Sequence, residues 1–393
     1  MIKNVSRILL VRTDKIGDVV LTTPAIAAVR AKFPEAYLVG LTSTIGYEVY
    51  SSNPHLNKTI CLDDPRYEGF FGLLHLVSDL NKEKLEVAVV FQASFRVAFA
   101  VWFSRIRYRI GPLSKWWSWF FYNLGRRQNR SAVEMHEADY NLQLLRTFGI
   151  SVADTWEKTY LNVSPEKKKT IKSFLKEKGL NPKFKTVAIH PGMAGSALNW
   201  PERHYISLGR RLLKHYNIIV TGGPGENTLV DRVIQGITRE HGYLPDQPMA
   251  IKYYGENGLK EFIALLDACD GVVAPSTGPM HIAVALGKKT VTVFSPIKVQ
   301  SALRWGPYGV PFGTNLGISP NDQVSILVPD VNCAENFKCA LHACIYYPCM
   351  PRISVEDVET QLLAILEGAA VSMFKNTNFV GYDLEENFEE QDV

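Results

Sequence analysis

The sequence predicts an α/β protein made of two doubly wound, Rossmann-like lobes with a cleft between them. Short apolar runs alternate with amphipathic helical patterns, and the alternation starts again after a change in composition near residue 162. The length of 393 residues fits two lobes, since a domain usually has about 100–200 residues. We therefore expect a parallel sheet in each lobe, with ligands bound where the strands end.

The first lobe, residues 1–160, begins with a continuous apolar run at 7–12 that is typical of a buried strand in a parallel sheet. The loop after this strand leads into a helical pattern at 19–33. The alternation then continues through strands at 37–41, 58–62 and 87–91 and helices at 70–80, 95–103 and 137–148.

The second lobe, residues 161–354, opens with a charged helix that Ser164 caps and Pro165 begins. Its predicted strands are 186–190, 218–221, 271–274 and 290–294, and its predicted helices are 202–215, 227–237, 259–268 and 278–286. A last helix belongs to residues 355–373. Residues 374–393 form an acidic tail, which we expect to be disordered because it holds few apolar residues.

The net charge of +4 combines two unlike parts of the chain. The last twelve residues hold six acidic and no basic side chains, so the rest of the chain carries +10. Residues 87–133 contain no acid, but they contain eight basic residues and four of the seven tryptophans. This acid-free zone predicts an anionic or membrane-surface partner.

Within the acid-free zone, two apolar runs have different expected roles. The helix at 95–103 is interpreted as a core helix. Residues 116–122, with Arg126, Arg127 and Arg130, are interpreted as an exposed amphipathic element that binds a phosphorylated lipid acceptor at a membrane surface. Nucleic acid is the alternative anion, but no recognised binding motif accompanies the zone, so we expect no nucleic-acid partner.

No segment predicts a membrane span or a secretion signal. The apolar runs of the acid-free zone are far shorter than the roughly 20 residues that a spanning helix needs. The N-terminus enters a strand without a long apolar region or a cleavage site. We expect a cytoplasmic protein with peripheral association at the inner face of the cytoplasmic membrane.

Four of the six cysteines crowd into seventeen residues: Cys333, Cys339, Cys344 and Cys349. Their spacing includes no C-x-x-C pair, which makes it a weak signal for a zinc or iron–sulfur site. We interpret them as reduced, partly buried thiols and expect neither a metal nor a cofactor. A structural metal at these cysteines is the alternative.

The turn after the first strand offers a carboxylate for acid–base chemistry. Gly17 allows close approach of the backbone, and Asp18 stands at the start of the predicted helix. The G-x-G-x-x-G fingerprint of a dinucleotide site is absent from this turn. Asp18 is a candidate general base, Asp14 is a second candidate, and a helix-capping role for Asp18 is the structural alternative.

Three turns at the ends of second-lobe strands predict a nucleotide-diphosphate site. Residues 190–196 and 221–226 are rich in small residues that leave backbone amides accessible. The third turn, residues 274–281, opens a helix, and amides at a helix N-terminus favour phosphate. The residues that we expect to bind this ligand are Gly192, Ser196, Thr221, Gly222, Gly223, Glu226, Ser276, Thr277, Gly278, Pro279 and His281.

Together these turns resemble those of the bacterial heptosyltransferases, glycosyltransferase family 9. The resemblance rests on Gly17-Asp18, His-Pro-Gly at 190–192, Asn-Trp-Pro at 199–201, Thr-Gly-Gly at 221–223 and Ser-Thr-Gly-Pro-Met-His at 276–281. Arg-Trp-Gly-Pro-Tyr at 304–308 and the late cysteines fit the same family. The resemblance implies a GT-B fold and metal-independent, inverting transfer of heptose from ADP-heptose to the lipopolysaccharide or lipooligosaccharide core.

Position by position, the resemblance also implies residue roles. The family's catalytic aspartate falls on Asp18, which favours it over Asp14. Its donor-binding threonine-glycine turn, its histidine and its nucleoside-binding acid fall on Thr277, Gly278, His281 and Glu226. Two positions depart from the family: Leu198 replaces a lysine that meets the pyrophosphate, and Ser276 stands where aspartate is common. These departures leave the donor sugar nucleotide open.

In the expected reaction, Asp18 deprotonates a hydroxyl of an anionic glycolipid acceptor, and the oxygen displaces the nucleoside diphosphate with inversion. The residues expected to contact the acceptor are Lys15, Gly17, Arg126, Arg127 and Arg130. Three alternatives stay open: transfer from another nucleotide sugar, epimerisation of a nucleotide sugar, and a non-catalytic relative that binds glycans.

Overall fold

The computed structural model describes residues 2, 4–151, 158–239, 246–255, 258–309, 320–321, 323–333, 338–369 and 371–372. The chain divides into two compact units: unit 1 comprises residues 1–169 and 257–267, and unit 2 comprises residues 170–256 and 268–393. The predicted acidic tail lies outside the described residues. The domain boundaries drawn from the sequence stay predictions.

Unit 1 is built on five parallel strands: β1 (Arg7–Val11), β2 (Tyr37–Thr42), β3 (Lys58–Cys61), β4 (Val87–Val90) and β5 (Tyr108–Ile110). Their order in the sheet is β3-β2-β1-β4-β5. The central strand β1 is fully buried from Ile8 to Val11, as its continuous apolar run predicts. The order reverses between β1 and β4, and ligands of such sheets bind beside the carboxyl ends at this switch point.

The helices of unit 1 between β1 and residue 151 are α1 (Ile16–Val20), α2 (Thr23–Lys32), α3 (Thr44–Ser51), α4 (Gly69–Lys82), α5 (Phe95–Phe103), α6 (Ser118–Phe121) and α7 (Glu137–Gln143). The single helix predicted at 19–33 is wrong. Pro24 lacks a backbone N–H and would clash with the carbonyl four residues earlier, so α1 ends at Val20 and α2 begins at Thr23.

The interpretation of α5 as a core helix is also wrong for half of its surface. Val97, Ala98 and Val101 are buried, whereas Phe95 and Trp102 are exposed. Apart from Arg96, every residue of the helix is apolar, a pattern typical of full burial, so the sequence does not distinguish the two faces.

Unit 2 contains β6 (Thr186–Ile189), β7 (Asn217–Thr221), β8 (Ala250–Tyr253), β9 (Gly271–Pro275), β10 (Lys289–Val293), β11 (Pro320–Asn321), β12 (Val324–Leu327) and β13 (Val371–Ser372). Six of these strands form a parallel sheet in the order β12-β10-β9-β6-β7-β8, and β11 pairs with β13 in an antiparallel manner. The strand order reverses between β9 and β6, which places a second switch point there. The predicted α/β class, with a parallel sheet in each part, is confirmed.

The remaining helices are α8 (Pro165–Glu177), α9 (Glu202–Leu212), α10 (Asn227–Thr238), α11 (Leu259–Ala268), α12 (Gly278–Ala285), α13 (Ala302–Trp305) and α14 (Val355–Leu366). Most of α11 clusters with unit 1 although it lies far along the chain. Lys168 at the start of α8 forms an ion pair of 3.0 Å with Asp267 of α11. Among the described residues, no helix combines the length and the apolar character needed to cross a bilayer.

Trp200 anchors the core of unit 2. Its side chain is buried, and its Nε1 donates a hydrogen bond of 2.8 Å to the carbonyl oxygen of Ile353. The neighbouring Asn199 accepts from the hydroxyl of Tyr205 across 3.0 Å. The Asn-Trp-Pro segment therefore fixes the loop between β6 and α9 by packing and hydrogen bonding.

Candidate active site

Asp18 lies in α1, the first helix after β1. Its carboxylate is bound by Arg12, the first residue after that strand. Nη2 of Arg12 donates to Oδ1 of Asp18 across 2.5 Å, and its Nε donates to Oδ1 of Asp14 across 2.6 Å. The N-cap position of α1 is Lys15 rather than Asp18. The capping alternative for Asp18 is therefore wrong, and its side chain serves the cluster around Arg12.

Buried groups from α7 and from the end of β4 hold Arg12 in place. Its Nη2 also donates to Oε1 of Glu137 across 3.3 Å. Its Nη1 donates to Oδ1 of Asn141 across 3.1 Å and to the carbonyl of Phe91 across 3.3 Å. Because Phe91 follows β4, the guanidinium group reaches across the switch point of unit 1.

Arg130 belongs to the same buried cluster. Its Nη1 donates to Oε1 of Glu137, and its Nη2 donates to the carbonyl of Phe91 across 3.0 Å. Arg127 is exposed and Arg126 is half-buried. The expectation that the three arginines share one exposed element is wrong, because the buried carboxylate of Glu137 draws Arg130 inwards.

Burial raises the pKa of Asp18 to about 6, well above the ordinary value for an aspartate. The charge of Arg12 opposes this rise, and the charges of Asp14 and Glu137 add to it. Only 13% of the Asp18 side chain is exposed. Such a carboxylate is ionised at neutral pH yet accepts a proton more readily than a free aspartate, as a general base requires.

Two further hydrogen bonds join the ends of β1 and β4 beside this cluster. The amide of Thr13 donates to Oε1 of Gln92 across 2.8 Å, and Nε2 of Gln92 donates to Oγ1 of Thr13 across 2.6 Å. Near Asp18 in the chain, Lys15 is exposed and Gly17 is half-buried. The switch point of unit 1 thus combines a fixed carboxylate with an exposed cation.

In unit 2, Glu226 joins the loops that follow β6 and β7. Its Oε2 accepts from the amide of Gly223 across 2.8 Å, and its Oε1 accepts from the amide of Ala194 across 3.2 Å. A Cβ atom on Gly192 would lie 2.1 Å from Oε2 of Glu226, so the loop needs glycine at this position. The nucleoside-binding role of Glu226 stays a prediction, but its carboxylate already shapes both loops.

His190 lies buried between the same two loops. Its Nδ1 is 2.9 Å from Oγ1 of Thr221, and its Nε2 is 3.8 Å from Oε2 of Glu226. Burial lowers the pKa of His190 to about 4, although the charge of Glu226 opposes the fall. The imidazole is therefore neutral at physiological pH and connects the ends of β6 and β7.

The third predicted loop follows β9 and opens α12. Thr277 is the N-cap residue, and its Oγ1 donates to the carbonyl of Pro275 across 3.2 Å instead of binding an amide of the helix. Ser276 and Gly278 are half-buried, whereas His281 is buried in the first turn. This helix start lies next to the switch point of unit 2, and the amides of Met280 and His281 there donate to the carbonyl of Thr277 across 3.1 and 3.4 Å.

The other predicted donor residues differ in accessibility: Ser196 is exposed, Gly222 is buried, and Pro279 is half-buried. Leu198 packs against the core of unit 2, and its amide donates to Oε1 of Gln300 across 3.2 Å. An apolar side chain therefore occupies the position at which the resemblance implies a lysine.

The six cysteines, all within the described residues, have free thiols. Burial raises the pKa of the Cys349 thiol. In the part of the chain that the structure describes, no three or more His, Cys, Asp or Glu side chains are arranged to hold a metal ion.

Sequence comparisons identify the family. The model of glycosyltransferase family 9 (heptosyltransferase) matches residues 73–323. A Haemophilus influenzae protein assigned provisionally as a glycosyltransferase is 28% identical over 308 residues, which cover 77% of this chain and 86% of that protein. Lipopolysaccharide heptosyltransferase 2 of Escherichia coli K12 is 23% identical over 304 residues, covering 74% and 83% respectively.

Solved structures share the fold. A family 9 glycosyltransferase from Veillonella parvula aligns with a TM-score of 0.74 at 19% identity, covering 93% of this chain and 99% of that one. The ADP-heptose lipopolysaccharide heptosyltransferase II of E. coli aligns with a TM-score of 0.71 at 18% identity, covering 92% and 98%. Family match and fold together define a glycosyltransferase of the expected GT-B class. The chain belongs to glycosyltransferase family 9.

Proposed function

We propose that this enzyme is an inverting transferase that moves a heptose, or a related sugar, from a nucleotide sugar to the lipopolysaccharide or lipooligosaccharide core. The observation that carries the proposal is the buried carboxylate of Asp18, whose pKa of about 6 suits a general base, at the switch point of unit 1. Among nucleotide sugars we favour ADP-heptose. E. coli WaaC, a structural relative, has been solved with ADP and with ADP-2-deoxy-2-fluoro heptose.

In the proposed reaction Asp18 accepts the proton of the acceptor hydroxyl. The freed oxygen forms a bond to the anomeric carbon of the donor sugar, and the bond from that carbon to the diphosphate breaks with its electron pair. Attack opposite the departing group inverts the anomeric configuration. Arg12 keeps Asp18 ionised and oriented for this step, because it binds Oδ1 directly.

The loops of unit 2 would receive the leaving diphosphate. The amide of Gly278 at the start of α12 and the hydroxyl group of Ser276 favour phosphate oxygens and stabilise the charge that develops on them. The Thr277 hydroxyl would join them by turning away from the carbonyl of Pro275. Leu198 and Ser276 replace charged residues expected from the family. Uncharged hydrogen-bond donors would therefore supply more of the stabilisation of the leaving diphosphate. His281 in the first helical turn and Glu226 behind the loops complete the proposed donor site.

An anionic glycolipid is the proposed acceptor. Lys15 and Arg127 are exposed cations suited to its phosphate groups, with Gly17 and Arg126 beside them in the chain. Arg130 is bound to Glu137, and we propose that it acts on the acceptor site indirectly, by holding that carboxylate in place. The proposed place of action is the cytoplasmic face of the membrane, and the free thiols of all six cysteines suit a reducing compartment.

The proposal is tested by incubating the enzyme with ADP-, UDP- and GDP-sugars, each with and without a deacylated lipooligosaccharide acceptor, and analysing products by mass spectrometry. We expect ADP-heptose to be consumed and a heptosylated product to form only when the acceptor is present. Epimerised nucleotide sugar formed without acceptor would identify an epimerase. Calorimetry without binding of any nucleotide sugar would identify a non-catalytic relative.

A further inference from the structure

Unit 1 exposes an aromatic surface that the proposed chemistry does not use. We define this aromatic surface by six side chains whose exposed fractions range from 44% to 79%: Phe95, Trp102, Phe103, Trp116, Trp119 and Phe120. Soluble proteins rarely leave large apolar groups contiguous in water, and such patches usually mark an interaction site.

Ring contacts join α5 to the segment at α6 beneath the exposed rings. The ring of Phe121 lies 5.5 Å from that of Phe95 and 6.1 Å from that of Trp102. Trp117 is 5.6 Å from Phe95. These half-buried rings support the outer ones, while the opposite side of α5 packs into the core of unit 1. The exposed rings of Phe95 and Trp102 are therefore held in place by packing against Trp117 and Phe121.

The neighbouring helix α4 extends the exposed apolar area. Phe70 and Phe71 in its first turn are exposed. Arg96 of α5 donates to the carbonyl of Tyr67, just before α4, and Ser104 after α5 donates to the carbonyl of Val77 across 3.5 Å. These two contacts show that α4 and α5 run side by side in the same direction, with their N-terminal ends together.

The charged residues of the segment that carries the six rings of the aromatic surface are all basic. Residues 87–133 contain no acid, and Arg105, Arg107 and Lys115 within this segment are exposed. Two copies of the chain meeting through this face would bring like charges together, which opposes self-association. Anionic lipid headgroups would instead neutralise these cations while the indole and phenyl rings enter the boundary with the acyl chains.

We propose that the aromatic surface docks unit 1 onto an anionic lipid bilayer, with Trp116, Trp119 and Phe120 entering the headgroup region. Trp116 and Phe120 are exposed by 79% and 73%, so insertion costs little loss of packing within the protein. The inference rests on the proposed function because it names the surface that brings the enzyme to an amphiphilic acceptor. Lipid binding itself needs neither donor nor acceptor.

The test is co-sedimentation of the full chain with vesicles of phosphatidylcholine alone or mixed with phosphatidylglycerol. We expect binding to the mixed vesicles, a blue shift of tryptophan fluorescence, and weaker binding at high salt. The double variant Trp119→Ser with Phe120→Ser should bind about tenfold more weakly or worse. Ile345→Ser is the control, because Ile345 is an exposed apolar side chain of unit 2 outside the aromatic surface.

Thermal melting of the double variant should match that of the native chain, since both side chains are exposed. Vesicle binding that is unchanged in the double variant overturns the inference, as does a native dimer that the double variant converts into a monomer. Transfer by the native enzyme to the deacylated acceptor, which carries no acyl chains, tests the proposed function separately from lipid binding. If the native enzyme transfers no sugar to that acceptor yet binds vesicles through these residues, the proposed function fails and the docking surface stands.

Discussion

Nη2 of Arg12 and Oδ1 of Asp18 lie 2.5 Å apart, which joins the end of the central strand of unit 1 to the proposed base. Arg12 is buried, and the same guanidinium also binds Asp14 and Glu137. A planar group with several donors is needed to serve three carboxylates at once. The ionisation of Asp18 is therefore set by its burial and by this arginine together.

Replacing Arg12 by lysine should make Asp18 harder to ionise. A lysine keeps the positive charge but lacks the planar fork that reaches several carboxylates. We expect the acid limb of the kcat/KM profile to move upwards by about one pH unit and the maximal rate to fall. The profile is measured from pH 5 to 9, with the exposed Arg105→Lys as the matched control. An acid limb that stays in place in Arg12→Lys would show that Arg12 does not act on the base.

The native enzyme should lose activity on the acid side of neutrality. The base works in its deprotonated form, and because the pKa of Asp18 is raised to about 6, the group is protonated below that pH. We expect kcat/KM to be half-maximal near pH 6 and to fall about tenfold for each further unit of pH. A profile that is flat down to pH 4.5 would contradict the assignment, since no group of this pKa would then control the rate.

Gly192→Ala should weaken donor binding by displacing Glu226. The added methyl group would lie 2.1 Å from Oε2, so the carboxylate must leave the amides that it accepts from. We expect about a tenfold rise in the dissociation constant of the donor, measured by calorimetry. Glu226→Ala should have a similar effect, and the double variant should be no worse than either single one. Additive effects would mean that the two residues act separately.

His190→Gln should make folding less sensitive to acid. The pKa of His190 is lowered to about 4 in the folded protein, below the ordinary 6.5, so the unfolded chain binds the extra proton first as pH falls. Stability from this group is complete above pH 6.5 and is lost as pH falls towards 4. Glutamine has no such proton, so the free energy of unfolding should decline less in that window, by on the order of 1–3 kcal/mol. Urea unfolding at pH 7 and pH 5 measures the difference, and an equal decline in both proteins would contradict it.

Continuous apolar runs made several strands predictable, because strands such as β1 are buried on both faces and need no alternation. The strand β5, Tyr108–Ile110, was not predicted, although the alternation of arginines with apolar residues over 105–110 is the pattern of a half-buried strand. The break between α1 and α2 is indicated in the sequence by Pro24, whereas the apolar periodicity continues across it.

The candidate base was accessible from the sequence, but its surroundings were not. Arg12 is a charged residue at the end of an apolar strand, which hints at a buried partner. Glu137 and Asn141 lie more than a hundred residues away, and only the folding of α7 against the switch point brings them to Arg12. Arg130 was misplaced for the same reason, since its partner Glu137 is identified by the fold rather than by spacing.

The central claim, that Asp18 is the general base, is tested most directly by Asp18→Asn. Transfer from a saturating donor to the deacylated acceptor is measured at pH 8, with donor affinity determined in parallel by calorimetry. We predict that the rate falls by about 10²-fold or more while the donor dissociation constant stays within about threefold of the native value. A variant that transfers sugar at the native rate, with unchanged donor affinity, would show that Asp18 does not take the acceptor proton.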